Sequence, residues 1–232
     1  MFATNRLLLY GEDVTVRIPP LHHDDIVRKA VSSAIFVLRE LYDPASPLHV
    51  PLAYPDPQGE FYGFERDGMP APWGWSGPGT KKLINAVSMV AMQTEHVALS
   101  RAESLPLYRR YVGDQWLGFV EQICALRTPQ RGNAMPTDRT DRDQLRLLCA
   151  QMPAFMNHFL ALYKAHVLVH LHSGTEVDIR WAAQALTEVR YPEPEVRQGL
   201  EELWERCTDG PLRDVVQRAL HLQTSSTTPR HA

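Results

Sequence analysis

Histidines spaced for one helix face are the first residues that could do chemistry. His166 and His170 lie four residues apart, and His158 and His172 are close by in sequence. An imidazole pair at this spacing holds a transition metal when further ligands lie nearby. No carboxylate or cysteine lies one helical turn from the pair, and the surrounding sequence AHVLVHL is apolar. We therefore interpret these histidines as packing or surface residues and predict no metal ligands.

A second candidate is the pair of aspartates Asp141 and Asp143 within TDRTDRDQLR. Paired aspartates hold magnesium ions for phosphoryl or nucleotidyl transfer, normally from a strand that faces a phosphate-binding turn. This pair alternates with arginine at the start of a helical pattern, so we expect a solvated helix start. The sequence contains no Gly-rich phosphate loop, G-x-G-x-x-G, G-x-S-x-G or H-E-x-x-H pattern. We therefore predict no catalytic residue in the chain.

The elements that would position any site begin with a short β-structure. Two runs of β-formers around a turn predict a β-hairpin within residues 1–20. Helical periodicity starts at Asp24 and stops at Pro44. Residues 44–79 hold eight of the eighteen prolines and six of the twenty aromatic residues. Because disordered segments are poor in aromatic residues, we predict a long, ordered, irregular loop, and such loops are often functional.

After this loop the apolar pattern stays helical. Asp114 resembles an N-cap, and Thr140 with Asp143 resembles a capping box at the start of a long helix. That helix is expected to kink at Pro153 and to end at Gly174. Three further amphipathic helices are predicted over residues 175–189, 195–207 and 212–222. The predicted fold is therefore mostly α, a helical bundle with a short β-hairpin, formed by one domain over residues 1–222 and a disordered tail over 223–232.

Composition narrows the classes of partner. With 24 basic and 27 acidic side chains the net charge is −3, so nucleic-acid binding, which needs a concentrated basic surface, is not expected. The three cysteines are an odd number without close spacing, which does not predict disulfides and favours a reducing cytoplasm. No apolar run reaches the ~18 residues that a membrane-spanning helix needs. We expect a cytoplasmic protein without a membrane partner.

Several segments together resemble the helical C-terminal half of nucleotidyltransferases related to the aminoglycoside adenylyltransferases. The order and spacing of these segments carry the resemblance more than any one of them. They are LLLYGEDV (7–14), YPDPQGEFYGFE (54–65), GTKKLINAV (79–87), SRAESLPLYRRYVGDQW (100–116) and CAQMPAFMNHFLALY (149–163).

The resemblance implies a domain that closes a cleft and binds substrate. In that family, a preceding α/β domain carries a Gly-Ser turn and paired acids that bind magnesium and a nucleoside triphosphate, and we expect this sequence to begin after that domain. The family has a Ser-Lys pair directed at the nucleotide phosphates, and Ser100 and Arg101 stand at the matching place. Arg101, together with Lys82, is thus the implied phosphate contact. Arg101 is equally well interpreted as an exposed cation at a helix end.

A cationic amino-sugar substrate would need carboxylates and flat apolar surfaces, since ammonium groups pair with acids and pack over aromatic faces. In the alternative interpretation the aromatic rings fill an apolar groove while the acids face water. Asn157 and His158 also lie within the resemblance, but packing or solvation explains them as well. The predicted substrate contacts are Glu60, Glu65, Asp67, Trp73, Trp75, Asp114 and Trp116.

We therefore predict a substrate-binding or cleft-closing helical domain that is not catalytic alone. Magnesium and ATP are expected only where a catalytic partner domain is present, for example a separately encoded nucleotidyltransferase subunit. The alternative is a helical interaction or regulatory protein, such as a homodimer, that uses the aromatic loop as its interface.

Overall fold

Helices make up most of the structure, because apolar residues recur at three- and four-residue intervals in most segments. The computed structural model describes residues 22–54, 57–63, 76–97, 101–125 and 137–225. The mostly α fold predicted from the sequence is confirmed. The helices and strands are α1 (His23–Tyr42), β1 (Leu48–His49), a 3-10 turn (Glu60–Gly63), α2 (Ser76–Thr94), α3 (Arg101–Tyr111), α4 (Leu117–Ala125), α5 (Arg139–Ser173), α6 (Glu176–Ala185), β2 (Val189–Arg190), α7 (Pro194–Arg206) and α8 (Gly210–Thr224).

The long helix α5 forms the centre of the bundle. It contacts α2, α6, α7 and the 3-10 turn, and it continues through Pro153 as one helix. The expected capping box of Thr140 and Asp143 is wrong, because Asp138 is the N-cap and its side chain accepts a hydrogen bond from the backbone N–H of Asp141. The side chains that α5 buries in the core are Leu145, Leu148, Cys149, Met152, Phe155, Met156, Phe159, Leu160, Tyr163, Val167 and Leu171.

A two-stranded parallel sheet joins distant parts of the chain. Leu48 of β1 is in register with Val189 of β2, and His49 with Arg190. These strands are not the predicted hairpin, since residues 1–20 lie outside the described residues. The predicted irregular loop 44–79 is also corrected, because it contains the strand β1 and because α2 already begins at Ser76.

The segment after β1 is held against α5 by a side-chain amide. Asn157 donates from Nδ2 to the carbonyl of Leu52 at 2.9 Å, and its Oδ1 accepts from the N–H of Leu52 at 2.7 Å. The amide thus supplies both partners that a neighbouring strand would supply to this residue. Asn157 therefore fixes the path of the chain between β1 and the 3-10 turn.

The start of α6 is capped and tied to α1. Thr175 and Asp178 form a capping box, and Arg28 of α1 donates to the Asp178 carboxylate at 2.5 Å. Burial opposes the ionisation of Asp178, but the hydrogen bonds from Thr175 and Arg28 outweigh it and lower the pKa of this carboxyl. α6 ends at Ala185, earlier than the predicted end at residue 189, because the chain turns there to form β2.

The last helix and the tail complete the chain. α8 ends at Thr224, two residues beyond the predicted end at Leu222, and the tail from residue 226 lies outside the described residues. Among the described residues, no helix has the length and apolar character needed to cross a membrane.

We predict that Asp178→Asn lowers the free energy of unfolding at neutral pH by about 1–2 kcal/mol, because it weakens the capping box and removes the ion pair with Arg28. The folded-state pKa of Asp178 is lowered, so its contribution is fully present above the unfolded Asp pKa of about 3.9 and is lost as the pH falls through the folded value. Urea denaturation of both proteins at neutral and acidic pH measures this difference.

Asp143→Asn is the matched control, since Asp143 is 55% exposed and pairs with Arg146 one turn away. We expect it to change stability by less than about 1 kcal/mol. Equal losses in the two variants, or a loss in Asp178→Asn that does not shrink in acid, would contradict the assigned role of Asp178.

Candidate ligand-binding site

Asp114 lies in the short connection between α3 and α4, where the chain turns sharply. Gly113 before it has a φ of +52°, and a Cβ at this position would lie 3.1 Å from the carbonyl oxygen of Arg109. Glycine adopts this left-handed conformation at little steric cost. Because α4 begins only at Leu117, Asp114 forms a turn before the helix rather than its N-cap. Its Oδ1 accepts from the Trp116 backbone N–H at 2.9 Å.

Two further groups contact the Asp114 carboxylate. The hydroxyl of Tyr108, at the end of α3, donates to Oδ1 at 2.7 Å. His158 of α5 places Nε2 2.8 Å from Oδ2, and the side chains of His158 and Asp114 are 28% and 21% exposed. The carboxylate is therefore held on one oxygen by two donors, while the other oxygen faces an imidazole at the surface.

Tyr108 is kept as a neutral donor. Tyr108 is fully buried, and this burial together with the neighbouring Asp114 carboxylate raises the pKa of the phenol well above its ordinary value. A phenolate there would lose hydration and repel the carboxylate. The Tyr108 hydroxyl therefore serves to orient Asp114.

Trp116 covers one side of this cluster. Its ring centroid lies 5.6 Å from that of Phe155, 5.8 Å from that of Phe119 and 6.3 Å from that of His158. The indole Nε1 is buried and has no hydrogen-bond partner within the described part of the chain. The aromatic contacts therefore fix the orientation of the indole.

This cluster combines a partly exposed carboxylate, an imidazole and an aromatic ring. A carboxylate beside an aromatic ring suits an ammonium group, which pairs with the acid and packs on the ring. We call Tyr108, Asp114, Trp116 and His158 the Asp114 cluster. Two of the predicted substrate contacts, Asp114 and Trp116, thus lie together.

Glu60 lies elsewhere on the molecule. Its carboxylate pairs with Arg142 and with Arg146, the latter at 3.2 Å, both in the first turns of α5. The face of α5 that carries these arginines also carries Asn157, whereas His158 follows about 100° further round the helix. The structure therefore does not bring Glu60 to the Asp114 cluster, and its role as a substrate contact stays a prediction.

The 3-10 turn that carries Glu60 is held by its aromatic rings. Phe61 and Tyr62 have φ values of 50° and 58°, a left-handed conformation that costs about 1–3 kcal/mol for such residues. Phe61 is buried between Arg142 and Arg146, whose guanidinium carbons lie 5.2 and 5.4 Å from its ring centroid. Tyr62 stacks on Tyr54 at 4.5 Å. The packing of both rings offsets the backbone strain.

Four predicted substrate contacts lie outside the described residues, namely Glu65, Asp67, Trp73 and Trp75. The backbone of Lys82 lies within α2 and Arg101 begins α3, but the positions of their side chains are likewise outside the description. The phosphate contacts implied by the resemblance therefore remain predictions.

The histidine pair of α5 is surrounded by aromatic groups. The centroid of His166 lies 4.6 Å from that of His170 and 5.8 Å from that of Trp181. Burial, with a smaller contribution from His170, lowers the pKa of His166 to about 4. In the described residues no three His, Cys, Asp or Glu side chains come together as a metal site would require. Both rings pack against Trp181 of α6.

Comparison with protein-family models, with curated proteins and with solved structures yields no match.

The sequence predicts Asp114 and Trp116 as substrate contacts, but it does not single out Tyr108, and it assigns His158 to packing or solvation. Tyr108 precedes Asp114 by six residues, which is a spacing without a recognised chemical meaning. His158 lies 44 residues from Asp114, so only tertiary packing shows the pair. The signals for His158 in the sequence are its place within the resembling segment 149–163 and its polarity in an apolar stretch.

We predict that Asp114→Ala lowers the free energy of unfolding by about 1–3 kcal/mol, because it leaves the Tyr108 hydroxyl without its acceptor in a buried position. Asp114→Asn keeps a carbonyl oxygen for Tyr108 and Trp116 and is expected to cost less. Urea denaturation measures both changes.

Glu121→Ala serves as the control, since Glu121 pairs with Arg109 at the surface with 41% of its side chain exposed. Its expected cost is below about 1 kcal/mol. If Asp114→Ala and Glu121→Ala are equally stable, the hydrogen bonds to Asp114 do not organise the α3–α4 connection.

Proposed function

We propose that this chain is the substrate-binding helical part of a nucleotidyltransferase and that the Asp114 cluster binds an ammonium group of a small cationic substrate, such as an aminoglycoside. The observation that supports the proposal is the partly exposed Asp114 carboxylate held beside Trp116 and His158. Both Asp114 and Trp116 belong to the segment that resembles the nucleotidyltransferases.

Pre-organisation supports a binding role for the carboxylate. Tyr108 and the Trp116 N–H occupy Oδ1, so Asp114 does not have to be ordered when a ligand arrives. A side chain that is already fixed loses less conformational entropy on binding. The remaining oxygen, Oδ2, lies toward His158 and is where an incoming ammonium group would pair.

The groups that catalyse nucleotidyl transfer would come from a second polypeptide or domain. Nucleotidyl transfer requires metal-held phosphates, and the described residues contain no group of three or more metal-binding side chains. Under the proposal, another polypeptide, or another part of a longer one, supplies magnesium and the nucleoside triphosphate. Lys82 and Arg101 would then face the nucleotide phosphates, as the resemblance implies.

Self-association through the aromatic loop stays the alternative prediction. Its expected anchors, Trp73 and Trp75, lie outside the described residues. Sedimentation velocity distinguishes the two functions. An obligate dimer whose mass does not change when ligand is added favours the interface, provided that the Trp73→Ala variant is monomeric.

We predict that an aminoglycoside such as kanamycin binds the wild-type chain with saturable heat in isothermal titration calorimetry. Asp114→Asn removes the charge with little change of shape, so the affinity is expected to fall by at least about tenfold. Added salt is expected to weaken wild-type binding, because the anchor is a partly exposed ion pair.

The matched control is Asp143→Asn, which changes the net charge by the same amount at an exposed site on α5. Its affinity should equal that of the wild type. The proposal is wrong if the wild type gives no saturable heat, or if the Asp114 and Asp143 variants bind alike. Supplying a metal-bearing nucleotidyltransferase domain encoded by adjacent DNA, with ATP, should then give an adenylylated sugar in mass spectra.

A further inference from the structure

A cavity of about 440 Å³ opens beside the small parallel sheet. Its walls come from three separate parts of the chain: the start of β1, the turn before β2 and the last turns of α8. The polar side chains that line it are His49, Arg218 and His221, with the hydroxyls of Ser46, Thr187 and Ser225. This volume lies within the range of about 300–1,000 Å³ that is usual for small-molecule sites.

The cavity is lined by basic groups without a carboxylate. Arg218 forms no ion pair with any residue that the structure describes, and Arg190 of β2 lies beside His49 in the strand register. Burial, with a smaller contribution from the charge of Arg190, lowers the pKa of His49. An anion entering the cavity would therefore be attracted.

Two acids close in sequence to the cavity walls are engaged elsewhere, while Asp214 lies one turn before Arg218 on α8 without lining the cavity. Glu188, next to Thr187, pairs with Arg39 of α1. Asp43 accepts from the Ser46 hydroxyl at 2.6 Å and from the N–H of Ala45 at 2.9 Å. These contacts leave the two carboxylates with partners of their own.

Hydrogen bonds fix the walls relative to one another. Gln223 of α8 donates from Nε2 to the carbonyls of Val189 at 2.9 Å and Leu186 at 3.1 Å, and its Oε1 accepts from the Tyr191 N–H at 2.9 Å. β1 is held to β2 by the bond from the Leu48 N–H to the Glu188 carbonyl at 2.9 Å. The three basic side chains thus project from rigidly joined elements.

One feature opposes an anion, namely the C-terminal end of α8, whose carbonyls carry a partial negative charge of about half a unit. The carbonyl of His221 accepts from both the N–H and the hydroxyl of Ser225, at 3.1 and 2.6 Å, which partly neutralises it. The full charge of Arg218 lies on the same last turns and outweighs the remaining dipole.

We propose that this cavity binds a small phosphate-bearing ligand. Arg218 offers two parallel N–H donors to one phosphate, and His49 and His221 each have a ring N–H available from another side. Three donors arranged around a cavity match the several oxygens of a tetrahedral phosphate better than the two of a carboxylate. The site shares no residue with the Asp114 cluster and is independent of the function proposed above.

Imidazole carbon and proton resonances of His49 and His221 report binding directly. Inorganic phosphate, pyrophosphate and ATP without magnesium are titrated into the wild-type chain. We expect saturable shifts of both imidazoles, and an affinity for pyrophosphate at least about tenfold weaker in Arg218→Gln, which removes the bidentate donor.

Arg197→Gln is the matched charge control. Arg197 is 55% exposed on α7 and pairs with Glu201, so its removal should leave the affinity for pyrophosphate unchanged.

The proposal is overturned if none of the phosphates gives saturable shifts at His49 and His221. It is also overturned if Arg197→Gln weakens binding as much as Arg218→Gln, because net charge alone would then explain the affinity. The dispersion of the methyl resonances checks that each variant folds. Arg218→Lys keeps the charge without the bidentate geometry, so it should bind pyrophosphate with intermediate affinity.

Discussion

The packing of α5 on several sides at once is the constraint on which the rest of the structure depends. At about 1.5 Å per residue its 35 residues span about 50 Å, and Phe155, Phe159 and Tyr163 in its middle are almost completely buried. Successive residues of an α-helix are rotated by a fixed angle, so a contact made by one side chain of α5 fixes the directions in which the neighbouring side chains point. This rotation places Asn157 toward the chain after β1 and His158 toward Asp114, although the two residues are adjacent.

Side chains, rather than long strands, satisfy much of the irregular backbone around α5. Asn157 hydrogen-bonds to the backbone of Leu52, and Gln223 hydrogen-bonds to the backbone at β2. Arg206 donates to the carbonyl of Leu171 at 2.9 Å. Buried backbone groups need such partners because water is excluded. Asn85 shows the opposite case: it is fully buried, neither of its amide atoms has a partner within the described residues, and a group of this kind costs about 1–3 kcal/mol.

The sequence predicts the elements whose physics is local and misses those that depend on distant residues. The helical periodicity of α1 and α5 and the Thr175 helix start are visible within a few residues, because apolar spacing and caps act over one or two turns. The pairing of Leu48 with Val189 involves only two residues per strand and no periodic pattern. Likewise, the Asp114 turn is visible in the sequence, but its contact with His158 exists only after α5 has packed.

Under the proposed function, Asp114 would combine a structural role with recognition of the ligand. Its two oxygens have different tasks: Oδ1 holds the α3–α4 connection through Tyr108 and the Trp116 N–H, while Oδ2 faces His158. Under the proposed function, a ligand cation would compete with His158 for Oδ2, while the hydrogen bonds from Tyr108 and the Trp116 N–H would remain at Oδ1.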